Sequence, residues 1–424
     1  MPSSVIVSGS SSPVGISATA YYPCPGNTVL SDTTEARLQT LIRDTYTLGS
    51  FFVRIAANTR DGTGTARSRV NTANGAHSVS IPASTTGLFE DTANTNALVA
   101  TDLLTTSLTI TGSSGSTSVS AIAFVLTHAS AQSSILGGSG ASTALFSAGA
   151  TSYGFTAGGL RITATETDVQ LTVRSAITMA FLRIYLPSNS INTGTSTFRT
   201  RINTANGSVI VSVGFGATGS FEDTTNSDSI AAGDVIDYQL ITSGSSGSIT
   251  ISALHARCIG LRPFMTAIAS SISADSYGII HGNVGSNATE AQTQTTLRTA
   301  FTASQLFVRV TAHAASGGVT VYLRQGGVST ALAVAIAEGA TGAFEDTADT
   351  INYASGNVIN HFVDHGGGAG TITIAILAAG AAALPPTPGI LVDWNNDGDF
   401  EDSNEVITGY VISARWRRGR DAES

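Results

Sequence analysis

The densest set of groups able to do chemistry in this chain lies between residues 393 and 405. Asp393, Asn395, Asp397 and Asp399 alternate around Gly398 in the stretch DWNNDGDFEDSNE. Short oxygen side chains at alternate positions of a tight loop, with a glycine to permit the turn, are what a hard cation such as Ca²⁺ requires. The twelfth position, a bidentate Glu in an EF-hand, is Asn404 here, and Glu405 follows it. Glu401, Asp402 and Glu405 are therefore the candidates for closing the shell. The flanks at 390–392 and 410–416 read as strands, so the expectation is a structural Ca²⁺ loop on a β scaffold. A solvated acidic turn is the competing reading.

Other recurrent charges suggest support rather than catalysis. Glu35, Arg43, Arg54 and Arg69 recur as Glu166, Arg174, Arg183 and Arg201, and again as Glu290, Arg298, Arg309 and Arg324. A set repeated three times reads as a structural ion-pair network, because arginine beside a carboxylate makes partial burial of charge tolerable. The pairs Glu90-Asp91, Glu222-Asp223 and Glu345-Asp346 are adjacent, so on a strand they point to opposite faces and cannot flank one glycosidic bond. Turn capping or weak cation binding suits them better. His361 and His365 are the closest histidines and read as solvated strand residues, and no GxSxG elbow accompanies the many serines. All 20 basic residues are arginine, which excludes lysine-dependent chemistry. The expectation is a protein that is not an enzyme.

What positions these groups is a repeat. The heptapeptide TGxFEDT occurs at Thr86–Thr92, Thr218–Thr224 and Thr341–Thr347, at whole-domain spacing. Tyr22, Tyr153 and Tyr277 each precede the recurrent glutamate by thirteen residues, as a shared core anchor or as one shallow pocket per domain. The strands FFVRI, AFLRI and LFVRV follow, then NTANG at Asn71 and Asn203, where Asn-Gly is expected to supply the positive φ of a hairpin. Alternating β-branched residues bounded by Gly, Ser, Asn and Thr predict an all-β fold: three tandem jelly-roll-like β-sandwich domains plus a short C-terminal β segment with the acidic cation loop. The boundaries read as an N-terminal tail 1–14, repeats 15–128, 145–260 and 267–380, a small polar linker 129–144, a Pro-rich linker 381–389 and the loop segment 390–424.

A net charge of −9 gives no general attraction for nucleic acid or anionic lipid. No apolar run is long enough to span a membrane as a helix, and the first residues lack the form of a secretory signal. Cys24 and Cys258 form no metal spacing or disulfide framework. The clustered arginines Arg415, Arg417, Arg418 and Arg420 sit beside the acidic loop, where pairing with the loop or a neighbouring subunit is favoured over nucleic acid.

The stretch DWNNDGDFED, followed by a Glu, a Val and ARWRRGRD, resembles a segment of minor tail proteins of siphovirus-like bacteriophages. Its acidic part resembles the calcium loop of GEVED-type surface domains, and the FEDT repeats are similar to jelly-roll modules of phage tail and baseplate-associated proteins. The resemblance implies a non-enzymatic structural protein of a virion tail or tail tip, made in the host cytoplasm. Its implied partners are other tail proteins or further copies of itself, with a role in host attachment. A glycan-binding adhesin or tail-fibre module on an extracellular surface is the alternative.

Overall fold

The structure, a computed structural model, describes residues 3–9, 13–14, 19–24, 26–27, 31–128, 133–154, 162–260, 263–280, 287–297, 300–383, 390–391 and 406–407. Residues 1–382 form one unit and 383–424 a second.

Alternation in the sequence becomes alternation in burial. In Ala205–Gly214 the side chains of Val209, Val211 and Val213 turn into the core, while Ser208 and Ser212 turn away. Strands of this kind, apolar on one face, must pair and then stack, and they do so as sandwiches of two sheets. In the first repeat, Ser3–Gly9 lies beside Thr117–His128, then come Tyr46–Asn58 and Gly87–Leu98. The second sheet runs Thr19–Tyr22, Leu103–Ile110, Gly64–Val70, Ala73–Ile81. Along the chain, the first strand thus neighbours the last and the second neighbours the last but one, the crossed order of a double-sheet jelly roll.

The order recurs. Ser133–Ser147, Ser248–Ile259 and Ile177–Leu186 are followed by Gly219–Glu222 and Ser227–Ile230, which share one place. Pro263–Ile272, Ile372–Ala383, Phe301–His313 and Gly342–Tyr353 make the third such sheet. The chain is all-β, as the alternation predicts.

Several boundaries differ from those read in the sequence. Residues 3–9 of the expected tail pair with 117–128, from Ser3 opposite Thr127 to Gly9 opposite Ala121. The expected linker 129–144 contains most of a strand, Ser133–Ser147, paired with Ser248–Ile259. The third repeat likewise starts at Pro263 and runs to Ala383. Small polar sequence reads as linker, yet a strand can be specified by its partner's hydrogen bonds even where its own side chains are Gly and Ser.

The NTANG turn is also placed differently. Val70 pairs with Ala73, so the two turn residues are Asn71 and Thr72, with φ of 52° and 67°. Asn203 and Thr204 repeat this, and Gly326 and Gly327 serve the third repeat. The following Gly75 lies in the strand for a packing reason: a Cβ there would come within 2.3 Å of Ser68 Oγ.

Around the acidic loop, Ile390–Leu391 pairs antiparallel with Val406–Ile407, which brings the two ends of the stretch together. The expected ligands Asp393, Asn395, Asp397, Asp399, Glu401, Asp402 and Glu405 lie outside the described residues, as do Trp394, Trp416 and Arg415, Arg417, Arg418 and Arg420.

Candidate functional site

The recurrent glutamate opens a short 3-10 turn in each repeat, at Glu35–Arg37, Glu166–Val169 and Glu290–Gln292. From there it meets the arginine of the hairpin. Arg69 donates Nε and Nη2 to the two oxygens of Glu35 at 3.0 and 2.8 Å, Arg201 does the same to Glu166 at 2.9 and 3.2 Å, and Arg324 to Glu290 at 2.7 and 3.2 Å. These are bidentate forks, the strongest guanidinium-carboxylate geometry. The same guanidiniums reach the carbonyls of Thr72, Thr204 and Gly327 inside the hairpin turns. Each also lies over a tyrosine ring, that of Tyr21, Tyr153 or Tyr277, at 5.7, 5.9 and 5.5 Å.

The first repeat's equivalent tyrosine is therefore Tyr21, one residue from the expected Tyr22. Tyr22 is a fully buried core residue, whereas Tyr21, Tyr153 and Tyr277 are half-buried and stack on arginine. The network expected of Glu35 and Arg69 is present, and its work is to hold a turn to a sheet.

The TGxFEDT motif divides its residues by face. Asp223 is buried, its Oδ2 accepting from Ile210 N–H at 2.8 Å and its Oδ1 from Thr225 and Asn226 N–H at 3.0 and 3.1 Å. Asp91 and Asp346 make the corresponding bonds. Burial pushes the Asp223 carboxyl up, yet these donors outweigh it and hold it at about 2. Turn capping is thus the aspartate's role. The preceding Phe89, Phe221 and Phe344 are half-buried and pack on their cores.

The remaining recurrent groups meet at seams between repeats. At the first seam, Arg43 of repeat one pairs with Glu222 of repeat two and lies over the Phe181 ring at 5.3 Å. Arg183, buried in the sheet of repeat two, donates to Gln39 O at 2.7 Å, and Ser252 Oγ donates to Arg37 O at 2.9 Å. Arg257 pairs with Asp44 at 2.8 Å, and His128 meets the other Asp44 oxygen at 3.0 Å. Burial, with Arg43 close by, lowers the Arg183 guanidinium to about 10.

The second seam repeats the plan with more apolar contact. Arg174 of repeat two pairs with Glu345 of repeat three, and Phe307, Ala375, Ile376 and Ala378 join the core of repeat two. A small pocket lies here between Leu171, Val173 and Ile236 on one side and Phe307 and Ala378 on the other. The third seam returns to the start. Arg54 Nη1 donates to Ala291 O of repeat three at 2.7 Å, and Phe52, Ala121 and Ala123 of repeat one join the core of repeat three. Three head-to-tail contacts of one kind that end where they began make a closed ring. Each long strand carries a bulge beside its seam, at Ser50, Phe181 or Gln305 with φ of 45°, 56° and 56°. An extra residue there re-aims the strand's side chains toward the neighbour.

His361 and His365, expected to be solvated, are both buried, as are His77, His128 and His255, and burial lowers His361 to about 4. The seams were not legible as such in the sequence, although a signal was there: a phenylalanine stands two residues before each strand arginine, as Phe52, Phe181 and Phe307. No protein-family model matches the chain, and no curated protein matches it in sequence.

Proposed function

We propose that the chain is a non-enzymatic structural component of a phage-like virion tail or tail tip, with a three-repeat body and a C-terminal segment that binds Ca²⁺ and docks on a neighbouring tail protein. The observation that carries this reading is the use made of the recurrent charges. Glu35, Arg69, Asp91 and their counterparts hold turns, while Arg43 and Arg174 join repeats through Glu222 and Glu345. Groups so engaged serve rigidity, the property a particle component needs. The resemblance of DWNNDGDFED and ARWRRGRD to phage minor tail proteins supplies the setting, and the pairing of 390–391 with 406–407 gives the acidic loop a closed base.

Immunoelectron microscopy with an antibody to the chain tests the location. Label on particle tails supports the reading; label confined to the cell surface, together with binding on a glycan array, replaces it with the adhesin. Calorimetry of the full chain tests the ion. Millimolar Ca²⁺ should give a binding heat that Asp397→Ala abolishes, and equal traces for both proteins would leave the loop a solvated turn.

A further inference from the structure

His255 distinguishes one seam from the other two. It lies on Ser248–Ile259, opposite Arg183 in the sheet, where the first repeat has Ala121 opposite Arg54. Its side chain is buried, and Nε2 accepts the Leu41 N–H of repeat one at 3.4 Å, which puts the proton of the neutral ring on Nδ1. Nδ1 has no hydrogen-bond partner among the described residues. Facing the ring are Arg183 from its own sheet and Arg43 from repeat one, the latter held by Glu222. Farther along the seam stand Arg257 and Asp44, with His128 on Asp44.

We propose that the seam between repeats one and two is an acid-sensitive hinge with His255 as its sensor. A proton on Nε2 would remove the acceptor of the Leu41 N–H and add a third cation beside two guanidiniums in a buried place. The closed seam therefore selects the neutral ring. Burial, reinforced by Arg183 and Arg43, holds the imidazole well below its ordinary 6.5 while the seam is closed. Once the seam opens, the ring regains water and its ordinary affinity for a proton. Below 6.5 the open form thus binds one more proton than the closed form, so acid favours opening, by tenfold for each pH unit. The second seam has Arg174 and Glu345 but no histidine among its described contacts, and it lacks this dependence.

Hydrogen exchange of the full chain measures it, read as protection factors between pH 6.5 and about pH 5, above the carboxylate range. Protection of residues 38–44 should fall tenfold per pH unit, while residues 169–174 at the second seam stay level. His255→Gln keeps an acceptor for Leu41 without a titrating ring, and should hold 38–44 level as well. His255→Ala, which copies Ala121 of the first repeat, gives a second non-titrating variant with the same expectation. An unchanged slope in a folded variant, or an equal fall at both seams in the wild type, would overturn the hinge.

Discussion

Asp223 and Asp237 sit in the same repeat and illustrate opposite treatments of a buried carboxylate. Asp223 takes three backbone N–H bonds, so Asp223→Ala removes charge-assisted bonds and leaves those donors without an acceptor. A loss of roughly 1.5–3 kcal/mol is expected in urea denaturation at neutral pH. For Asp237, burial, with Glu166 nearby and Arg201 and Gln170 only partly opposing, raises the carboxyl to about 8. Unfolded, it ionises near its ordinary 3.8. Between these values the unfolded chain has released a proton that the folded chain retains, so this group's contribution to stability declines as pH rises from about 4 to about 8. The third repeat has Asn360 in this place. Asp237→Asn should stabilise the protein by roughly 1–3 kcal/mol at pH 7, the gain vanishing near pH 4. Denaturation curves at the two pH values check both points. No residue pattern announced this, because Asp237 differs from its surroundings only through where the fold buries it.

Turns and strands were the most legible elements, and the departures among them are instructive. Asn-Gly marks a hairpin correctly but points to a positive φ three residues too far along. Thr72 and Thr204 bear it instead, although β-branched residues resist that conformation. They tolerate it because Arg69 and Arg201 hold their carbonyls and because Asn71 and Asn203 bond Asp102 and Asp234 at 2.7 Å. A tertiary contact thus overrides a local preference. Thr204→Gly, which copies Gly327 of the third repeat, should raise stability by about 0.5–1 kcal/mol, visible as a higher thermal midpoint. The 3-10 turns were hidden for the converse reason: three or four residues set no periodicity.

At the scale of the whole ring, sequence repetition revealed the three units but not how they meet. The groups that join them look like any surface Arg and Glu until their partners, more than a hundred residues away, are placed. The first seam depends most on charge, since no described residue of repeat one enters the core cluster of repeat two. Arg43 and Glu222 are each mostly covered there, at 20% and 13% side-chain exposure. Arg43→Glu should cost about 1–3 kcal/mol, less than breaking a fully buried pair, and Glu222→Arg added to it should restore part of that. A double-mutant cycle with no coupling would remove the pair from the joint.

The closing contact between repeats three and one is the feature on which the ring stands, because the chain itself does not link those repeats. Phe52 of repeat one is buried within the core of repeat three, so Phe52→Ala reports on the contact directly. Hydrogen exchange of the full-length variant should show lost protection at residues 290–297 and 372–379 of repeat three as well as around residue 52, with residues 248–257 of repeat two retained. Loss confined to repeat one would contradict a closed ring and leave three sandwiches joined only in series.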